Sequence, residues 1–146
     1  MRTRVLISAL VVLAGTAACG SGESATPTTE AKTTTTAVKQ LDLSDADWTD
    51  ETASKEVKVE ARDNIFVDQY VEVKAGTTVT FTNAGRNRHD VIPAEKGAFP
   101  EIAVTDFEPG DTGTITLDEP GDYVYYCSLH GTPSKGMVAA FRVVGE

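Results

Sequence analysis

Along most of the second half of the chain, apolar and polar residues alternate with a period of two. Val57-Lys58-Val59-Glu60, Tyr70-Val71-Glu72-Val73-Lys74, Thr78-Val79-Thr80-Phe81-Thr82, Thr114-Ile115-Thr116-Leu117 and the run from Met137 to Val144 follow this pattern. It predicts strands with one buried face. Ala75-Gly76, Asn83-Ala84-Gly85, Glu108-Pro109-Gly110 and Glu119-Pro120-Gly121 lie between these runs and read as turns. No run carries a helical period, and no internal repeat is visible. Short strands at such spacing predict an all-β domain over 57–146, built as an antiparallel two-sheet sandwich.

The first half is patterned differently. Arg2 and Arg4 precede an apolar run from Val5 to Ala14, interrupted by Ser8, and small residues follow at Gly15 to Ala18. This is the layout of an export signal over 1–18, too short to span a bilayer. Thr16-Ala17-Ala18-Cys19-Gly20 resembles the lipobox of bacterial lipoproteins, with Thr16 where that pattern usually has an aliphatic residue. The resemblance implies cleavage before Cys19, lipid on its thiol, and anchorage on the outer face of the cytoplasmic membrane. An ordinary secretory signal, discarded together with Cys19, is the other reading. Residues 19–40 are rich in Thr and Pro and almost devoid of large apolar side chains, so they cannot bury enough surface to offset ordering. They are expected to form a disordered tether with a reach of roughly 25 to 35 Å.

The net charge of −9 becomes −11 once Arg2 and Arg4 leave with the signal, which argues against nucleic acid as a partner. Asp42, Asp45, Asp47, Asp50, Glu51 and Glu56 against Lys55 concentrate −5 of it in an acidic lead-in over 41–56. Trp48 is the side chain expected to pin this stretch to the domain.

The candidate chemistry sits near the end of the chain. A Tyr-rich strand projects Tyr123, Tyr125 and Cys127 to one face and Val124 and Tyr126 to the other. The strand runs into Cys127-Ser128-Leu129-His130, Met137 follows, and the second of the two histidines, His89, lies upstream. One thiolate, two imidazoles and a thioether are the donors of a trigonal copper site with a weak axial methionine. Cysteine arithmetic agrees: with Cys19 lipidated, Cys127 is a lone thiol in an exported chain, which favours a metal-binding or reactive role. Two histidines in total are too few for a trinuclear or type 2 catalytic copper centre, and one cysteine in the loop excludes a binuclear one.

From Val57 to Val144 the chain resembles cupredoxins of the plastocyanin type. The resemblance rests on Asp63-Asn64-Ile65-Phe66, Ala75-Gly76-Thr77-Thr78-Val79, Gly85-Arg86-Asn87-Arg88-His89-Asp90-Val91, Gly121 through His130, and Gly136-Met137-Val138. It implies a Greek-key β-sandwich holding one type 1 copper ion by His89, Cys127 and His130, with Met137 axial. It also implies that Tyr126, beside the cysteine, is a second surface port for electrons. Three positions depart from the family pattern. The loop from Gly131 to Gly136 is longer, Asp90 stands where Asn usually ties the ligand loops together, and Leu129 replaces a Pro. The anion at Asp90 disfavours Cu(I), whereas the Leu129 N–H is free to bond the Cys127 sulfur and raise the potential.

The expected function is that of a monomeric, membrane-tethered blue copper protein, an electron carrier and not an enzyme, serving a redox partner such as a cytochrome or a copper oxidoreductase. Arg86, Arg88 and Lys135 predict a locally basic copper end. A copper-trafficking protein without a redox partner is a second reading, distinguished by a colourless Cu(I) site. A metal-free adhesion or scaffold sandwich is a third, in which Cys127→Ser and His130→Ala leave function intact.

Overall fold

The computed structural model describes residues 39–145. The export signal, Cys19 and the tether up to residue 38 lie outside the described residues. Nine strands follow one another: β1 Thr49–Asp50, β2 Glu56–Arg62, β3 Ile65–Phe66, β4 Tyr70–Lys74, β5 Thr77–Asn83, β6 Ile92–Pro93, β7 Thr112–Leu117, β8 Gly121–Thr132 and β9 Lys135–Val144. A short 3₁₀ turn at Val104–Asp106 is the one helical element among the described residues.

The strands form two sheets, in the orders β1-β4-β9-β8-β6 and β3-β2-β5-β7. The expected all-β sandwich is present, but its pairing is mixed. β1 with β4, β2 with β5 and β4 with β9 run parallel, and the remaining pairs run antiparallel. Alternation on β2 and β5 buries Val57, Val59, Ala61, Val79 and Phe81 against the facing sheet. Tyr125 is the hub of the core: it stacks on Phe141 at 5.0 Å and meets Phe66 and Phe81 edge-on. Such aromatic pairs add about 0.5–1.5 kcal/mol each beyond the area they bury.

On β9 the prediction of one buried face fails, because every residue from Met137 to Phe141 is buried. Val124, Val138 and Ala140 point away from the core and are covered by Leu41, Leu43 and Trp48 of the acidic lead-in, with Tyr70, Ala94 and Tyr126 around them. The Trp48 ring meets Tyr70 edge-on at 5.7 Å and lies 4.2 Å under the Arg142 guanidinium, which Asp122 holds in turn. The acids of this stretch remain at the surface while its three apolar side chains form a strap across the sheet.

Candidate metal centre

The site arises from a defect in the β8–β9 hairpin. Tyr126 pairs with Val138, and the next regular pair is Gly131 with Gly136. Four residues, Cys127 to His130, therefore bulge on one strand opposite the single residue Met137 on the other. A bulge re-aims side chains, and here it turns Cys127 and His130 toward one point. Beyond it the ladder resumes to Thr132 and Lys135, closed by Pro133 and Ser134. The additional length between His130 and Met137 is thus taken up by a hairpin tip, and Met137 still lies across from the bulge. Two glycines permit this crossing. A Cβ at Gly136, whose φ is +82°, would lie 2.6 Å from the His130 carbonyl oxygen, and one at Gly131 would lie 2.7 Å from the Met137 nitrogen.

His89 comes from the loop after β5. The reactive atoms of His89, Cys127 and His130 lie within 4.8 Å of one another. The Cys127 Sγ is 3.4 Å from His130 Nδ1 and 3.7 Å from His89 Nδ1, and the two imidazoles meet at 4.9 Å between centroids. His89, Cys127 and Met137 are fully buried, whereas His130 is partly exposed. Thus three of the four sequence-predicted donors converge, and the fourth, Met137, is buried in the same core cluster as Cys127.

Asp90 ties the two ligand loops. Its Oδ1 accepts the Ser128 N–H at 2.7 Å and its Oδ2 accepts the Ser128 hydroxyl. Asn83 braces the other side, donating from Nδ2 to the carbonyls of Asn87 and Phe107 while its Oδ1 accepts the Gly85 N–H. Asp63, from the β2–β3 turn, accepts the Arg86 N–H at 2.7 Å. Sequence reasoning missed Asn83 and Asp63 as supports. Their partners lie in distant segments, and the signals available were the turn residues Asn83-Ala84-Gly85 and the Asp63-Asn64 pair.

Burial pushes the Cys127 thiol above its ordinary range, and the backbone N–H groups of Asp90 and Leu129, directed at the sulfur, oppose this. Burial pulls His89 below its ordinary value, aided by His130, while Asp63 and Asp90 act in the other direction. Both shifts favour the uncharged forms, a neutral imidazole and a thiol, whereas a bound cation favours the thiolate. The expected basic patch is weakened by pairing: Arg86 meets Asp63 at 2.8 Å and Arg88 approaches Glu108 at 3.8 Å. Leu129 stands out beside His130, 53% exposed. Tyr126 is half-buried, on the opposite face of β8 from Cys127.

Soft thiolate, two imidazoles and a thioether, gathered in a largely dry pocket with one imidazole edge outside, are donors that fit one type 1 copper ion. Comparison with known proteins agrees. Residues 53–144 match the copper-binding proteins of the plastocyanin/azurin family. The chain is 33% identical to chloroplastic plastocyanin of Hordeum vulgare over 86 residues, covering 54% of each chain. It is 34% identical to plastocyanin of Vicia faba over 88 residues, covering 53% of this chain and 86% of that one. It thus spans about half the length of the first curated relatives it matches. Among solved structures, amicyanin from Paracoccus versutus superposes with a TM-score of 0.51 at 24% identity, over 73% of this chain and 92% of that one, a likeness of fold. The chain belongs to the plastocyanin/azurin family of copper-binding proteins.

Proposed function

We propose that this protein carries single electrons between redox proteins outside the cytoplasm, with one type 1 copper held by His89, Cys127 and His130 and with Met137 as the weak axial donor. The observation that carries the reading is the convergence of Cys127 and His130, from a bulge opposite Met137, with His89 from the β5–β6 connection. When bound there, copper supplies one-electron exchange between Cu(II) and Cu(I). The chain's own contribution is constraint. Burial of Cys127 and His89 excludes water, and the Asp90–Ser128 tie fixes the two ligand loops relative to each other. A trigonal set with a long thioether suits both oxidation states, so little has to move when an electron arrives.

The exposed edge of His130 is the port for electron exchange, and Tyr126 offers a second route on the side face. Two histidines leave none for a further catalytic metal, which supports a carrier over an enzyme. The apolar run from Val5 to Ala14 and the lipobox-like Thr16 to Gly20 support export and attachment by lipid to the outer face of the cytoplasmic membrane, with the domain acting as a monomer toward a cytochrome or a copper oxidoreductase.

Copper titration of the recombinant domain, read by visible absorption, tests this. The wild type is expected to develop a strong thiolate-to-copper band at one equivalent, and Cys127→Ser to lose it. A colourless wild-type complex that holds only Cu(I) would overturn the carrier reading in favour of copper handling.

A further inference from the structure

His89 differs from the other donors in what holds it. Cys127, His130 and Met137 share one hairpin, whereas His89 reaches the site from the β5–β6 connection. A metal-ligating histidine ordinarily donates its second ring N–H to a carboxylate, carbonyl or water, which fixes the ring. Here Nε2 of His89 is buried with no hydrogen-bond partner among the described residues. On the Nε2 side, its orientation must therefore come from packing.

The wall it packs on is the backbone at Gly85. A Cβ at that position would lie 3.1 Å from His89 Nε2, 2.8 Å from Asp63 Oδ1 and 3.1 Å from the Asp63 nitrogen. Asp63 grips the same loop at three points. Its Oδ1 accepts the N–H groups of Arg86 at 2.7 Å and Asn87 at 3.3 Å, and its Oδ2 accepts Arg86 Nε at 2.8 Å. Carboxylate and imidazole thus converge on the space that a side chain at residue 85 would fill.

Building on the copper reading above, we propose that Asp63 is a positioning residue for His89. Its carboxylate clamps Arg86 and Asn87, and so holds the adjoining Gly85 as the wall that turns His89 Nδ1 toward the Cys127 sulfur. The role requires an acceptor for two N–H groups at residue 63 and the absence of a side chain at residue 85. It does not require the negative charge, since Arg86 Nε lies on the exposed side of the clamp.

The test compares Asp63→Ala, Asp63→Asn and Gly85→Ala with the wild type by two readouts. One is the Cu(II) electron paramagnetic resonance and visible spectrum of the loaded protein. The other is the NMR signals of the His89 ring in the copper-free protein. Asp63→Ala and Gly85→Ala are expected to alter the copper hyperfine splitting and to shift or broaden the His89 ring signals, while Asp63→Asn, which keeps an Oδ1 acceptor, retains wild-type spectra. A lower melting temperature in Asp63→Ala with both spectra unchanged would show a merely structural contact and overturn the proposal, as would an Asp63→Asn spectrum as perturbed as that of Asp63→Ala. If Asp63→Ala does not fold, Asp63→Asn and Gly85→Ala decide the matter alone. A wild type without a blue band would overturn the copper reading instead, and the copper-free NMR comparison would still decide the clamp.

Discussion

At the scale of single residues, two departures from the family pattern act on the same sulfur from opposite directions. Asp90 keeps the tie between the ligand loops but brings a carboxylate to it, with both oxygens engaged by Ser128. Negative charge close to the metal favours Cu(II). Leu129, unlike proline, retains an N–H, and that N–H is directed at the Cys127 sulfur. Donors to a thiolate withdraw electron density and favour Cu(I). Leu129→Pro is therefore expected to lower the reduction potential while the blue band persists, as read by voltammetry alongside absorption. An unchanged or higher potential would mean that the N–H has no electronic effect on the site.

At the scale of elements, the β8–β9 hairpin shows both what the sequence announces and what it withholds. The five strand-like runs become β2, β4, β5, β7 and β9, and on the first four the alternation is that of a half-buried strand, which must alternate whatever its partner. For that same reason alternation cannot separate parallel from antiparallel neighbours, so the three parallel pairs were not legible. Nor were the two-residue strands β1, β3 and β6, which are too short to establish a period. The donors stood out because Cys, His and Met are scarce and chemically specific, and three of them lie in or opposite one bulge. The glycines that allow the bulge to close did not stand out, since their need is set by atoms across the ladder. Gly136→Ala makes that need measurable. The added methyl meets the His130 carbonyl at 2.6 Å from a backbone φ of +82°. Denaturant unfolding of the apo domain is expected to show a loss of roughly 2 kcal/mol, within the range for residues forced into sparsely populated backbone regions.

At the scale of the whole molecule, two buried groups bound the pH range in which the apo domain is most stable. His89 titrates below its ordinary value of 6.5. As pH falls past that value the unfolded chain takes up its proton first, so stability is intact above about 6.5 and is lost below it. Cys127 titrates above its ordinary value of 9.0. As pH rises past 9 the unfolded chain loses its proton first, so stability is intact below about 9 and is lost above it. Thermal melts of the apo domain are expected to show a plateau between these limits, with His89→Gln flattening the acid arm and Cys127→Ser the alkaline one. The strap of Leu41, Leu43 and Trp48 bears on the molecule as a whole in another way. Gln40, just before it, lines a recess with Pro120, Gly121 and Asp122, where β8 begins, whereas Cys127 lies six residues further along that strand. At about 3.3 Å per residue the two points are roughly 20 Å apart. The described chain therefore enters the domain roughly 20 Å from the metal-binding end, and the His130 edge is left clear of that entry point.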